Sequence, residues 1–183
     1  VRGRLCLIGA GLLTLSGCGE AAATARPAPA PVVVDLPAAS AGGACALLDY
    51  AVIERATGAR FDVSAASRHR QTYSCVLRTE EADHPDLALS VTETSADASV
   101  FKADVVPSGG QTVTGLGKAA YRQTVSPGKN VGAAVEVGWL SADGRLVSLR
   151  YTFAAGQDRA VADAFATKLI ALAKKIDTGK LKF

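Results

Sequence analysis

The residues most suggestive of chemistry are Gly115-Leu116-Gly117-Lys118-Ala119-Ala120. They match G-x-G-x-x-A and contain a Gly-Lys pair. A dinucleotide site needs such glycines between a strand and a helix N-terminus, where backbone N–H groups meet a pyrophosphate. The next residues, Tyr121-Arg122-Gln123-Thr124-Val125, read as a strand instead. A phosphate-binding P-loop would also need Gly at 112 and Ser or Thr at 119, where Thr112 and Ala119 stand. The pattern therefore predicts a tight turn entering a strand, with glycine supplying the backbone freedom. Glu80, Glu81, Asp83, His84 and Asp86 offer oxygens and one imidazole to a hard cation. Pro85 interrupts them, the Gly-turned Asp-x-Asp-x-Asp spacing is missing, and a polar connection between strands has the same composition. No metal and no cofactor is assigned. Arg68-His69-Arg70 reads as a solvated basic loop, with lipid headgroups as the alternative contact. G-x-S-x-G and H-E-x-x-H are both absent, and the two histidines sit in polar contexts, so no catalytic residue is assigned. Trp139, Tyr151 and Phe153 either line an apolar pocket or form cross-strand core pairs.

The remaining chemistry is that of sulfur. Leu15-Ser16-Gly17-Cys18 reads as a lipobox. Arg2 and Arg4 form a positive start, and Leu5 to Leu15 an apolar run too short to span a bilayer, which needs roughly 20 residues. Residues 1–17 are thus expected to be a signal peptide, and Cys18 the lipidated residue. Two acyl chains would anchor the chain stably where one is marginal. Cys6 leaves with the leader. Cys45 and Cys75 then remain outside the cytoplasm, where a disulfide persists. The alternative, a reactive thiol pair, lacks a Cys-x-x-Cys motif.

Residues 18–43 form a lipidated N-terminus and a Pro/Ala-rich stretch without helical or strand period. They are expected to be a disordered tether, with Val32 to Val34 as a short apolar exception whose alternative is a β segment docking on the domain as an edge strand. A single domain over residues 44–179 follows, then a tail, 180–183. Asp49 is a plausible cap for a short helix, Tyr50 to Thr57, stopped by Gly58. Strands are expected at Tyr73 to Thr79, Leu87 to Thr92 and Ala119 to Val125. Ser95 or Asp97 caps a short helix reaching about Val105. Residues 132–154 alternate as a hairpin, with Val135, Val137 and Trp139 on one arm, Val147, Leu149, Tyr151 and Phe153 on the other, and Ala142-Asp143-Gly144 at the turn. The longest helix runs from about Gln157 to Asp177, with Asp158 in its first turn and Gly179 at its stop. Its stripe is Val161, Phe165, Leu169, Leu172 and Ile176. The fold class is α+β: an antiparallel sheet with a long C-terminal helix and a short N-terminal helix packed on it.

Composition narrows the function. Apolar residues make up 49% of the chain and aromatics 5%, so the core must be aliphatic. Of 20 basic residues Arg2 and Arg4 lie in the leader, leaving 18 against 17 acidic ones. That near-neutral balance argues against nucleic acid as a partner.

Cys45-Ala46-Leu47-Leu48, Cys75, Gly115-Leu116-Gly117-Lys118-Ala119, the hairpin around Asp143-Gly144 and the Ala/Leu-rich closing helix together resemble actinobacterial cell-envelope lipoproteins of unknown function. The resemblance covers about residues 44–177. Two departures stand out: Val76 occupies a place where such proteins often carry Trp, and Lys118 one where an acid is common. The resemblance implies a compact α+β sandwich, PsbP-like, on the outer face of the cytoplasmic membrane, and supplies no catalytic residues. The expected function is a non-catalytic binding or interaction module whose partner is an envelope protein or a small apolar ligand. A lipid carrier, or a hydrolase with dispersed acids, is the alternative.

Overall fold

The computed structural model describes residues 36–181. A seven-stranded sheet, antiparallel throughout and in the order β1-β2-β3-β7-β6-β5-β4, carries two helices on one face and a short helical turn at one end of the other. The strands are β1 Val63–His69, β2 Thr72–Arg78, β3 Asp86–Glu93, β4 Gln111–Thr112, β5 Ala119–Val125, β6 Ala134–Leu140 and β7 Arg145–Thr152. The helices are α1 Tyr50–Thr57, α2 Ala98–Val100, which widens into a π turn over Phe101–Val105, and α3 Arg159–Ala173. Among the described residues no helix is long and apolar enough to cross a membrane.

Alternation decides which face is dry. Tyr73, Cys75 and Leu77 on β2 share one face with Leu87, Leu89 and Val91 on β3, Val147, Leu149 and Tyr151 on β7, and Val135, Val137 and Trp139 on β6; all are buried. Alpha3 and α1 cover this face, together with the 3-10 turns Ala38–Ala41 and Gly43–Leu47. Asp49 caps α1 by accepting from Val52 N at 2.9 Å, and Gly58 ends it at φ 80°. Ile53 is fully buried. The disulfide Cys45–Cys75, with Cα atoms 4.9 Å apart, ties the Gly43–Leu47 turn to β2.

Several expectations need correction. Alpha3 is shorter than the 157–177 span. Asp158 is its cap, accepting from Val161 N at 3.1 Å, and tighter turns carry Lys175 and Ile176. Gly179 lies inside a further 3-10 turn, Thr178–Lys180. The buried stripe is also rotated. Val161 is exposed, whereas Ala162, Ala166, Leu169, Leu172 and Ala173 face the sheet. Alanine methyls let the helix axis sit close to the strands, and close approach decides the face. Beta1 has no counterpart among the expected strands; Arg68 and His69 end it and Arg70 begins its turn. Residues 36–43 are packed rather than tether-like: Ala38 is buried, and its carbonyl accepts from Ser64 Oγ at 3.3 Å. Leu181, placed in the tail, is buried, with its carbonyl accepting from Arg145. Residues 18–35 of the tether, the leader and Cys18 lie outside the described residues.

Candidate functional site

Among the described residues, no helix covers the second face of the sheet over β1, β2, β3 and β7. Register builds it from short polar side chains. Ser67, Ser74, Ser90 and Ser148 oppose one another in turn, and the same row continues through Gly138 to Tyr121. Thr72 and Thr92 pair at 2.8 Å between hydroxyl oxygens, and Ser74 and Ser90 at 3.2 Å. The adjoining row reads Ala65, Val76, Ala88, Arg150, Glu136 and Gln123. This face is hydroxyl-rich, with one charged pair, Glu136 and Arg150, near its middle.

At one end the surface is closed. Phe101, held by the turn that Asp97 opens, packs with Tyr121 and Leu140 in a second small core. Tyr121 lies across Gly138: a Cβ there would meet the ring at 2.3 Å. So placed, the phenol donates to Glu136 Oε1 at 2.6 Å, while Arg150 Nη1 stands 3.8 Å from Glu136 Oε2. Burial, then the hydrogen bond to Glu136 and its charge, raise the Tyr121 pKa well above the usual phenol range. Tyr121 is thus the donor, and Glu136 the acceptor, of this bond. Arg150 is 41% exposed and is the charge the pair presents outward.

The glycine motif forms a turn entering β5 and, with the end of α3, borders a cleft of about 380 Å³. Gly115 and Gly117 have φ of 70° and 58°, and a Cβ on Gly117 would meet the Leu140 carbonyl oxygen at 2.1 Å. Lys118 N donates to that carbonyl at 2.8 Å. These glycines serve close backbone approach, and no helix N-terminus follows them. On the cleft's other wall Asp143 accepts from Ser141 Oγ and from Thr178 Oγ1 and pairs with Arg145 Nε at 3.3 Å. Arg145 also donates to the carbonyls of Thr178 and Leu181. Burial alone would raise the Asp143 pKa; the hydrogen bonds from Ser141 and Thr178 and the Arg145 charge outweigh it and lower the carboxyl. These groups satisfy one another, tying the β6–β7 turn to the chain end.

The acidic run divides among local partners. Asp83 pairs with Arg78 at 2.6 Å, and His84 Nδ1 lies 3.7 Å from Asp86 Oδ1. Among the described residues no group of three His, Cys, Asp or Glu side chains could hold a metal ion. Tyr151 and Phe153 are core groups, with Tyr151 4.4 Å and Phe153 5.2 Å from the Phe165 ring. Burial and the Asp86 charge push the Tyr151 phenol up to about 12. Trp139 is buried opposite Val147, with one edge toward the glycine cleft. Arg68, far from forming a loop, lies over the Tyr73 ring at 4.7 Å.

Cys45 and Cys75 were legible from sequence. The serine row and the Tyr121–Glu136–Arg150 chain were not, because each joins residues from several strands. Alternation marked their polar side, and only register shows the rows. No protein-family model, curated protein or solved structure matches the chain.

Proposed function

We propose that the protein is a lipid-anchored extracytoplasmic module of the cell envelope that binds a partner protein without catalysing a reaction. Cys18 in its lipobox supplies the anchor and the outer face of the cytoplasmic membrane as the location, in keeping with the resemblance to envelope lipoproteins. The observation that carries the binding role is the uncovered sheet face, with its hydroxyl rows and the outward Arg150. A rigid sheet presents such groups at fixed spacing, so little order is lost on docking. The carrier reading needs an apolar chamber between sheet and α3. Val135, Val137, Leu149 and Leu169 have no exposure at all, which leaves no water-sized void beside them.

The test is site-specific photocrosslinking in native membranes, with the reactive residue replacing Ser90 on the open face or Thr167, an exposed position of α3. One discrete protein adduct from position 90, absent from 167 and lost when Ser148 is replaced by Lys, is expected. Identical patterns from both positions, or extracted lipid as the adduct, would overturn the reading.

A further inference from the structure

We propose that the cleft between the glycine turn and the end of α3 binds a small zwitterion with an apolar side chain, of the class of the aliphatic and aromatic α-amino acids; this is independent of the protein partner proposed for the open sheet face. At about 380 Å³ the cleft falls within the range of small-ligand sites. Its apolar lining is Leu116, Trp139, Ala173 and Ile176. Two charged side chains line it without being spent on each other. Lys174 Nζ lies by the glycine turn, 3.6 Å from where a Cβ on Gly115 would stand. Asp177 turns Oδ1 to Gly179 N at 3.1 Å. Among the described residues the Lys174 ammonium makes no hydrogen bond or ion pair, and the Asp177 carboxylate makes no ion pair. Asp143, the third charged group of the lining, is already engaged by Ser141, Thr178 and Arg145.

The turn supplies further donors. Lys118 N is spent on the Leu140 carbonyl, but the N–H groups of Gly115, Leu116 and Gly117 have no acceptor among the described residues. Leu116 is only 7% exposed, and a buried N–H calls for an acceptor from somewhere. The ligand class follows from this set. An α-carboxylate answers the Lys174 ammonium and the turn N–H groups, a charge-assisted arrangement. An α-ammonium answers the second oxygen of Asp177, and an apolar side chain lies along Leu116, Trp139 and Ile176. A polyanion such as a nucleotide does not fit, because Asp143 and Asp177 would repel it from the same cleft.

Trp139 is the one tryptophan of the chain, so its fluorescence reports on the cleft directly. Titrating the purified full chain with L-leucine and with L-phenylalanine is expected to shift the emission saturably, with a Kd on the order of 100 μM for at least one of them. Analogues without the carboxylate (isoamylamine, phenethylamine) or without the ammonium (isocaproate, hydrocinnamate) should each bind at least about tenfold more weakly. Lys174 and Asp177 are exposed, so Lys174→Met and Asp177→Asn should fold, the asparagine keeping an acceptor for Gly179 N. Lys174→Met should weaken the amino acid about tenfold and leave the amine unchanged; Asp177→Asn should weaken the amino acid about as much and leave the deaminated acid unchanged. A flat titration with both amino acids up to about 10 mM, analogues that bind as tightly as the amino acids, or an affinity indifferent to Lys174→Met or to Asp177→Asn would overturn the proposal.

Discussion

Gly138→Ala is the most informative single substitution, because one methyl tests how the open face is built. The added Cβ would stand 2.3 Å from Tyr121 Cε1, 2.5 Å from Cζ and 2.8 Å from the hydroxyl. The ring cannot simply swing aside, being buried against Phe101 with centroids 6.0 Å apart. Overpacking of this kind costs about 1–3 kcal/mol. If the phenol is displaced, its bond to the mostly buried Glu136 carboxylate is lost as well, about 1.5–3 kcal/mol for a charged acceptor. Alanine returns about 0.5–1 kcal/mol through the lower backbone entropy of the unfolded chain. The net expectation is a loss of about 2–4 kcal/mol, read as a fall in the urea midpoint with an unchanged slope. A Tyr121→Leu background isolates the cause. Leucine ends at its δ carbons, short of the clashing atoms, so Gly138→Ala there should cost under about 0.5 kcal/mol. A near-neutral Gly138→Ala in the parent, or equal costs in both backgrounds, would refute the reasoning.

Three other outcomes follow from the same structure. Replacing Cys45 and Cys75 together by Ala opens a loop with a separation of 30 residues and should lower stability by about 3–4 kcal/mol, or roughly 10 °C in the melting midpoint; an unchanged midpoint would contradict the structural role of the bridge. Asp143 has a folded pKa below its unfolded value, so its contribution is complete above the ordinary carboxylate range and is lost as pH falls through the folded pKa. Urea titrations between about pH 5 and 2 should therefore show a shallower loss of stability for Asp143→Asn than for the parent, and parallel curves would sink the assignment. Cys18→Ala should abolish incorporation of labelled fatty acid and release the protein from membranes; persistent labelling would disprove the lipobox reading.

The sequence showed most where one residue type carries one local job. Asp49 and Gly58 bracket α1 as expected, Ala119–Val125 is a strand to the residue, and the β6–β7 hairpin turns at Asp143-Gly144. Each rests on contacts within a few positions of the chain. The stripe of α3 was less legible, because apolarity points to Val161 while the packed face uses Ala162 and Ala166. A large side chain wins on transfer energy, but a small one lets helix and sheet approach, and here approach decides. The open-face rows depend on which residue of each strand stands opposite which. A one-residue slip would scatter every serine to the other face, and composition is silent about such slips.

Beta1 shows why an edge strand can be the last thing read. Apolar alternation reveals a strand through what it buries. Val63-Ser64-Ala65-Ala66-Ser67-Arg68-His69 buries almost nothing, so it has no period to detect. What keeps it a strand is its backbone ladder to β2 and the two-residue turn at Arg70-Gln71. Among the described residues, the same lack of burial leaves its outer N–H and C=O groups facing away from the sheet. Water satisfies them at little cost, so the edge does not unfold the domain.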